Sequence, residues 1–157
     1  PTMPAAASLL ANAPGEDGAR WTEIPGLGRS GRAVTILPFT APARSLAESA
    51  LAPRLDYTLE FPASGAFTLH LHVLPTHPIS GAAHRFAVAL DEQPPQLVEL
   101  QSADGDAVWT RAVLDNERLL KVPLAVPNSG RHLLHLWGLA PGIVIDRVRV
   151  AATAPAR

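Results

Sequence analysis

Apolar and polar residues alternate with a period of two from Leu55 onward. Leu55, Tyr57, Leu59 and Phe61 fall on one face, and Asp56, Thr58 and Glu60 on the other. That period belongs to an extended strand with one buried face. Pro62-Ala63-Ser64-Gly65 reads as a hairpin connection, after which Phe67, Leu69, Leu71 and Val73 alternate with Thr68, His70, His72 and Leu74. The same alternation returns over 84–90, where Phe86, Val88 and Leu90 oppose Arg85, Ala87 and Ala89. Further strand-like runs cover 21–24, 33–37, 97–100, 108–113, 119–126, 132–137 and 143–150. Pro123 interrupts one of them, which suits an edge strand or a bulge. Residues 5–13 are small and apolar and fit an edge strand or one helical turn, and 45–51 fit a short helix on a connection. Turn clusters separate the runs at 13–18, 91–95, 104–106, 128–130 and 138–142, and 75–81 reads as a loop. About nine or ten short strands without regular helices between them predict an all-β, antiparallel β-sandwich, a jelly-roll in preference to a closed barrel.

Composition narrows this further. The 157 residues suffice for one sandwich with a single core, over about 8–151, with 152–157 as a frayed tail. An apolar fraction of 47% is too high for a disordered chain, and 16 prolines leave little room for long helices. A net charge of −1 gives no electrostatic case for nucleic acid or a membrane surface. There is no cysteine, which removes disulfides, thiolate metal sites and cysteine nucleophiles. No apolar run approaches the length of a bilayer span. The N-terminal residues lack a charged n-region, so no signal peptide is read, and a start at Pro1 suggests a processed chain or an excised fragment.

The chemistry-bearing stretch is 21–38, W-T-E-I-P-G-L-G-R-S-G-R-A-V-T-I-L-P. It contains G-x-G-x-x-G at Gly26, Gly28 and Gly31. That fingerprint holds a dinucleotide only after a strand and at the start of a helix. Here Pro25 precedes it and a β-branched run follows, so the glycines read as a tight loop leading into a strand. Ser30 lies in G-R-S-G-R, which departs from the G-x-S-x-G nucleophile elbow. His70 and His72 share a strand face, whereas His132 and His135 fall on opposite faces. Zinc would need further converging ligands, so these histidines read as solvent-facing and no metal site is expected. The carboxylates are scattered through turns, and no intrinsic enzyme activity is expected.

Several motifs then agree in order. They are I-P-G-L-G-R-S-G with A-V-T-I-L-P, P-R-L-D-Y, L-P-T at 74–76, R-F-A-V-A-L-D with P-P-Q, W-T-R-A-V-L-D-N at 109–116, G-R-H-L-L-H-L-W, and P-G-I-V-I-D-R-V. This series resembles the C-terminal β-sandwich domain of glycoside hydrolase family 115, the α-glucuronidases of xylan, over about 21–150. The resemblance implies a fold of the galactose-binding, carbohydrate-binding-module type. It implies an accessory role beside a catalytic barrel, a polysaccharide partner of xylan type, and dimer contacts. It also favours a secreted or periplasmic setting. A barrel of about 250 residues does not fit in this chain. Where the family carries an acidic and aromatic segment, this chain has Leu9-Leu10-Ala11-Asn12-Ala13, and Ala140 stands in place of an acid before Pro141-Gly142. A structural calcium would find only Asn12 and nearby Asp17, so no cofactor is expected.

Against that background the candidate sugar-binding residues are Trp21, Arg29, Arg32, Thr76, His77, Trp109 and Asn116. A pyranose presents C–H groups to an aromatic face and hydroxyls at its rim. Trp21 and Trp109 flank turns and fit either a platform or the core, while Trp137, in phase with Leu133 and His135, fits core or rim packing. Arg29 and Arg32 could clamp a carboxylate or could brace their own loop. Thr76, His77, Asp115 and Asn116 lie in loops that could join the same rim, and Asn116 could instead cap a turn.

Overall fold

A computed structural model of the chain describes residues 2–4, 13–38, 41–74, 84–100 and 118–153. Ten strands are placed: β1 (Thr2–Pro4), β2 (Arg20–Pro25), β3 (Arg32–Leu37), β4 (Arg54–Phe61), β5 (Gly65–Val73), β6 (His84–Leu90), β7 (Gln96–Leu100), β8 (Arg118–Val126), β9 (Gly130–Gly138) and β10 (Val144–Ala152). One sheet runs β2-β3-β10-β5-β8, with β1 also on β10, and the other runs β4-β9-β6-β7. Every pairing is antiparallel. This is the two-sheet sandwich that the alternation predicts.

The period-two faces are where the core forms. Leu55, Tyr57, Leu59 and Phe61 of β4 meet Phe67, Leu69, Leu71 and Val73 of β5, with Phe86, Val88, Leu134, Leu136, Ile145 and Val148 between them. Burial of the Tyr57 side chain pushes its hydroxyl pKa above the usual phenol range. The short helix expected at 45–51 is a 3-10 helix, Leu46–Leu51. Its start is fixed by Glu48, whose carboxylate accepts from the Ser45 backbone N–H and hydroxyl at 3.0 and 2.8 Å. Among the described residues β8 is an edge strand, which suits Pro123, and two of its carbonyls are engaged. Gln93 and Gln96 reach across from the other sheet and donate to Ala125 and Pro123 at 2.8 and 3.0 Å. β1 was not expected, since three residues are too few to carry a period. The readings at 5–12, 75–81 and 108–113 lie outside the described residues.

The glycine loop owes its shape to a carboxylate far away in sequence. Asp146 sits where the β10–β5 register shifts between Ile145 and Arg147, and its side chain is 1% exposed. The bulge turns it into loop 26–31. It accepts from the backbone N–H of Arg29 at 3.0 Å and of Ser30 at 3.1 Å, and from the Ser30 hydroxyl at 2.5 Å. Gly28 has φ +78°, and a Cβ there would overlap the Asp146 carboxyl. The fingerprint-like glycines therefore form a concavity of N–H donors, and the chain fills it with its own anion.

His132 corrects the expectation of solvent-facing histidines. It lies on the inward face of β9, 5% exposed, because it shares the parity of Leu134 and Leu136. Its Nδ1 meets Asp91 Oδ2 at 2.5 Å and its Nε2 meets the Asn128 carbonyl at 2.9 Å. Both partners are acceptors, so the imidazolium satisfies both. The Asp91 hydrogen bond, followed by the Asn128 carbonyl, raises the His132 pKa. For Asp91, burial is the largest single influence and acts upward. The His132 and Leu133 hydrogen bonds outweigh it and hold the carboxyl low. The His132 contribution is fully present below its unfolded value of about 6.5 and is lost as pH rises through the folded pKa. The Asp91 contribution is present above about 3.9 and is lost as pH falls through its own. The melting temperature is therefore expected to decline from pH 6 to pH 9, and His132→Gln to flatten that decline. Thermal unfolding across this range checks both.

Candidate functional site

Of the sequence-derived candidates, Trp21, Arg29 and Arg32 lie among the described residues. Trp21 is 1% exposed, so its ring offers no face to a ligand. It packs between the sheets with Val34, Ile36 and Leu136, and its indole N–H donates to the Pro53 carbonyl at 3.2 Å. The platform reading of Trp21 is thereby corrected: β2 parity carries this ring inward. Arg32 is exposed but already engaged. Its Nε and Nη2 donate to the two carboxylate oxygens of Glu23 at 3.0 and 3.4 Å. The Glu23 pKa is lowered first by that hydrogen bond, and the Arg32 pKa is raised by it. Arg29 holds the glycine loop through its backbone N–H, while its side chain is exposed. Arg32 opens β3 of the six-stranded sheet, and Arg29 lies in the loop that joins β2 to β3. Thr76, His77, Trp109, Asp115 and Asn116 lie outside the described residues. Their segments are flanked by Leu74, His84, Leu100 and Arg118, all at the end of the sandwich where β4 begins and β9 finishes.

At that same end the four-stranded sheet carries the feature the candidate set omitted. Trp137 is half-buried on the outer face of β9, in register with Arg54 of β4 and Ala87 of β6. Ala87, Ala52 and Leu139 form a small apolar floor that Trp137 and Leu46 pack against. The 3-10 helix supplies a wall, so that Trp137, Arg54, Pro95, Leu46 and Ala50 line a groove of about 450 Å³. Beside it, the His135 and Trp137 ring centroids are 5.5 Å apart at 42°. Asp56 fixes this polar edge: its Oδ1 meets His135 Nδ1 at 2.5 Å and Arg54 Nε at 3.0 Å. With Nδ1 committed to the carboxylate, Nε2 is the ring nitrogen left to a ligand. An aromatic face, a small-residue floor and a fixed set of polar groups make an arrangement suited to a saccharide. The phase of Trp137 with His135 and Leu133 was the available signal; the helical wall is tertiary and left no mark in the pattern.

Among the described residues no group of three His, Asp or Glu gathers to hold an ion. Asp17, the acid considered for calcium, accepts from the Ala19 N–H at 3.2 Å and lies 3.9 Å from the Arg44 guanidinium. A cation at that distance opposes a second one.

Comparison with known structures sets this geometry in context. A family GH115 4-O-methyl-α-glucuronidase with specificity for decorated arabinogalactans superposes with a TM-score of 0.70 at 20% identity, over 93% of this chain and 18% of that one. The family 35 carbohydrate-binding module from Clostridium thermocellum gives 0.63 at 13% identity, covering 97% of this chain and 98% of the module. The C-terminal CBM6 of a laminarinase, LamC, from Zobellia galactanivorans gives 0.59 at 17%, over 96% and 99%. At these identities the likeness is one of fold. No curated protein sequence matches the chain. The family model that matches, over residues 3–154, is that of the glycosyl hydrolase family 115 C-terminal domain. The chain thus belongs to the glycosyl hydrolase family 115 C-terminal domain family.

Proposed function

We propose that this domain is a non-catalytic module that holds a plant polysaccharide of xylan type for the enzyme it accompanies. The observation that carries the reading is the half-buried Trp137 lining a groove with Arg54, beside the Asp56–His135 pair. A sugar ring covers the indole face while its hydroxyls reach the polar edge. Thr76, His77, Trp109 and Asn116 belong to the proposal as contributors from the neighbouring segments, and Trp109 would add a second platform. Arg29 is a more distant contributor, and Arg32 serves only if it releases Glu23.

Affinity electrophoresis of the domain in glucuronoxylan, arabinoxylan, unsubstituted xylan and cellulose tests this, with calorimetry for the constants. Retardation by the xylans is expected. Trp137→Ala is expected to weaken it at least tenfold, roughly 1.4 kcal/mol. Undiminished binding by that variant would remove the groove from the proposal. A second reading is a packing domain without sugar affinity, meeting a neighbouring domain or a second copy. It draws on an apolar groove of about 460 Å³ at the open side of the sandwich, lined by Leu59, Phe61, Phe67, Val148 and Val150. No retardation by any polymer would favour it.

A further inference from the structure

The outer face of the six-stranded sheet carries a charge arrangement that the saccharide groove does not explain. Arg149 of β10, His70 of β5 and Lys121 of β8 lie in one row across three strands. The next row is Arg147, His72 and Leu119. At about 4.8 Å per strand, Arg149 and Lys121 stand roughly 10 Å apart across the sheet. Among the described residues, the outward positions of β5, β8 and β10 hold no acid. The whole chain has 13 basic and 14 acidic residues, so this face is a local segregation of charge.

Both arginines meet a histidine, and Arg147 also stands 3.3 Å from the buried Asp146 carboxylate, which leaves Arg149 as the centre of the face. Arg149 Nη2 donates to His70 Nδ1 at 3.2 Å, and Arg147 Nη2 stands at 3.2 Å from His72 Nδ1. A histidine that accepts at Nδ1 is neutral and carries its proton on Nε2, as a further donor. Burial, then Arg149, Lys121 and His72, lower the His70 pKa and keep it in that form at neutral pH. The contact therefore orients Arg149 without neutralising it. Lys121 is exposed, and Leu119 beside it is 42% exposed.

We propose that this face, centred on Arg149, His70 and Lys121, docks an acidic protein surface. Charge complementarity names the partner's sign, since the charged groups described on the outer face of these strands are all cations. The side chains name its class. No Trp, Tyr or Phe stands among the described outward residues of these strands, so a sugar ring finds no platform. An exposed leucine between cations suits a protein surface, where apolar anchors sit within a charged rim.

The test is fluorescence anisotropy of labelled poly-L-glutamate titrated with the whole chain, with polygalacturonate as a second probe. Binding to polyglutamate at low salt, weakening steeply as salt rises, is expected. Lys121→Glu combined with Arg149→Glu should reduce it at least tenfold, and the exposed Lys121→Gln alone by a smaller factor with the fold intact. Trp137→Ala should leave polyglutamate binding unchanged, which keeps this result separate from the xylan test. Unaltered binding by the charge-reversed chain would overturn the proposal. So would tighter binding of polygalacturonate that the same variants abolish, since that assigns the face to an acidic polysaccharide.

Discussion

Asp146→Ala is expected to destabilise the domain by about 3–5 kcal/mol, the range for removing one partner from a buried charged cluster. The carboxylate is 1% exposed and is the common acceptor for the Arg29 and Ser30 amides and the Ser30 hydroxyl, with Arg147 Nε at 3.3 Å. Alanine leaves these donors facing an apolar methyl, and the bulge in β10 loses its reason to turn inward. Asp146→Asn is expected to cost less, because an amide oxygen still accepts from the loop. Gly28→Ala should approach the alanine effect from the other side, through a strained φ of +78° and a Cβ that meets the carboxyl. Urea unfolding checks the series: the midpoint should fall in the order wild type, Asn, Ala. Binding in the Trp137 groove should persist in whatever fraction stays folded, because the loop lies on the other sheet.

Trp21→Ala is expected to cost about 3–5 kcal/mol as well, by emptying the volume of a buried indole. The ring is enclosed by both sheets, and its N–H shares the Pro53 carbonyl with the Gly138 amide. Gly138 is part of the same fit: a Cβ there would meet Ile36 and the Trp21 ring. Trp21→Phe should recover much of the loss while leaving the Pro53 carbonyl one donor short. The discriminating measurement pairs unfolding with xylan affinity. Lost stability with unchanged affinity per folded molecule identifies Trp21 as core; lost affinity at full stability would return it to the binding surface.

The strands were legible because each has one buried face, and a period of two survives in sequence whenever that is so. The run Leu55 to Phe61 and the run Phe67 to Val73 are the clearest cases. What lay beyond reach was partnership across long separations. Nothing near G-L-G-R-S-G announces that its anion is a carboxylate 116 residues away from Ser30. Trp21 and Trp137 look alike as lone aromatics near turns, yet Trp21 faces inward between the sheets, whereas Trp137 stands on the outer face of β9 where the 3-10 helix supplies a wall. His132 was read as surface since a histidine carries no apolar label, although its parity with Leu134 already placed it inward. The family resemblance added the fold and left the site to the side chains.

β10 lies in the middle of the six-stranded sheet, between β3 and β5, and also receives β1. The last of the described strands along the sequence is therefore the one that the others need. A nascent chain can form the β2–β3 hairpin early, but that sheet has no centre until residues 144–152 have emerged. Its decisive pairings span most of the chain, which places such a topology among the slower folders, on a scale of roughly milliseconds to seconds. During synthesis the strands that precede β10 wait with their apolar faces open, and a ribosome that stalls short of β10 releases a chain with no route to the native state.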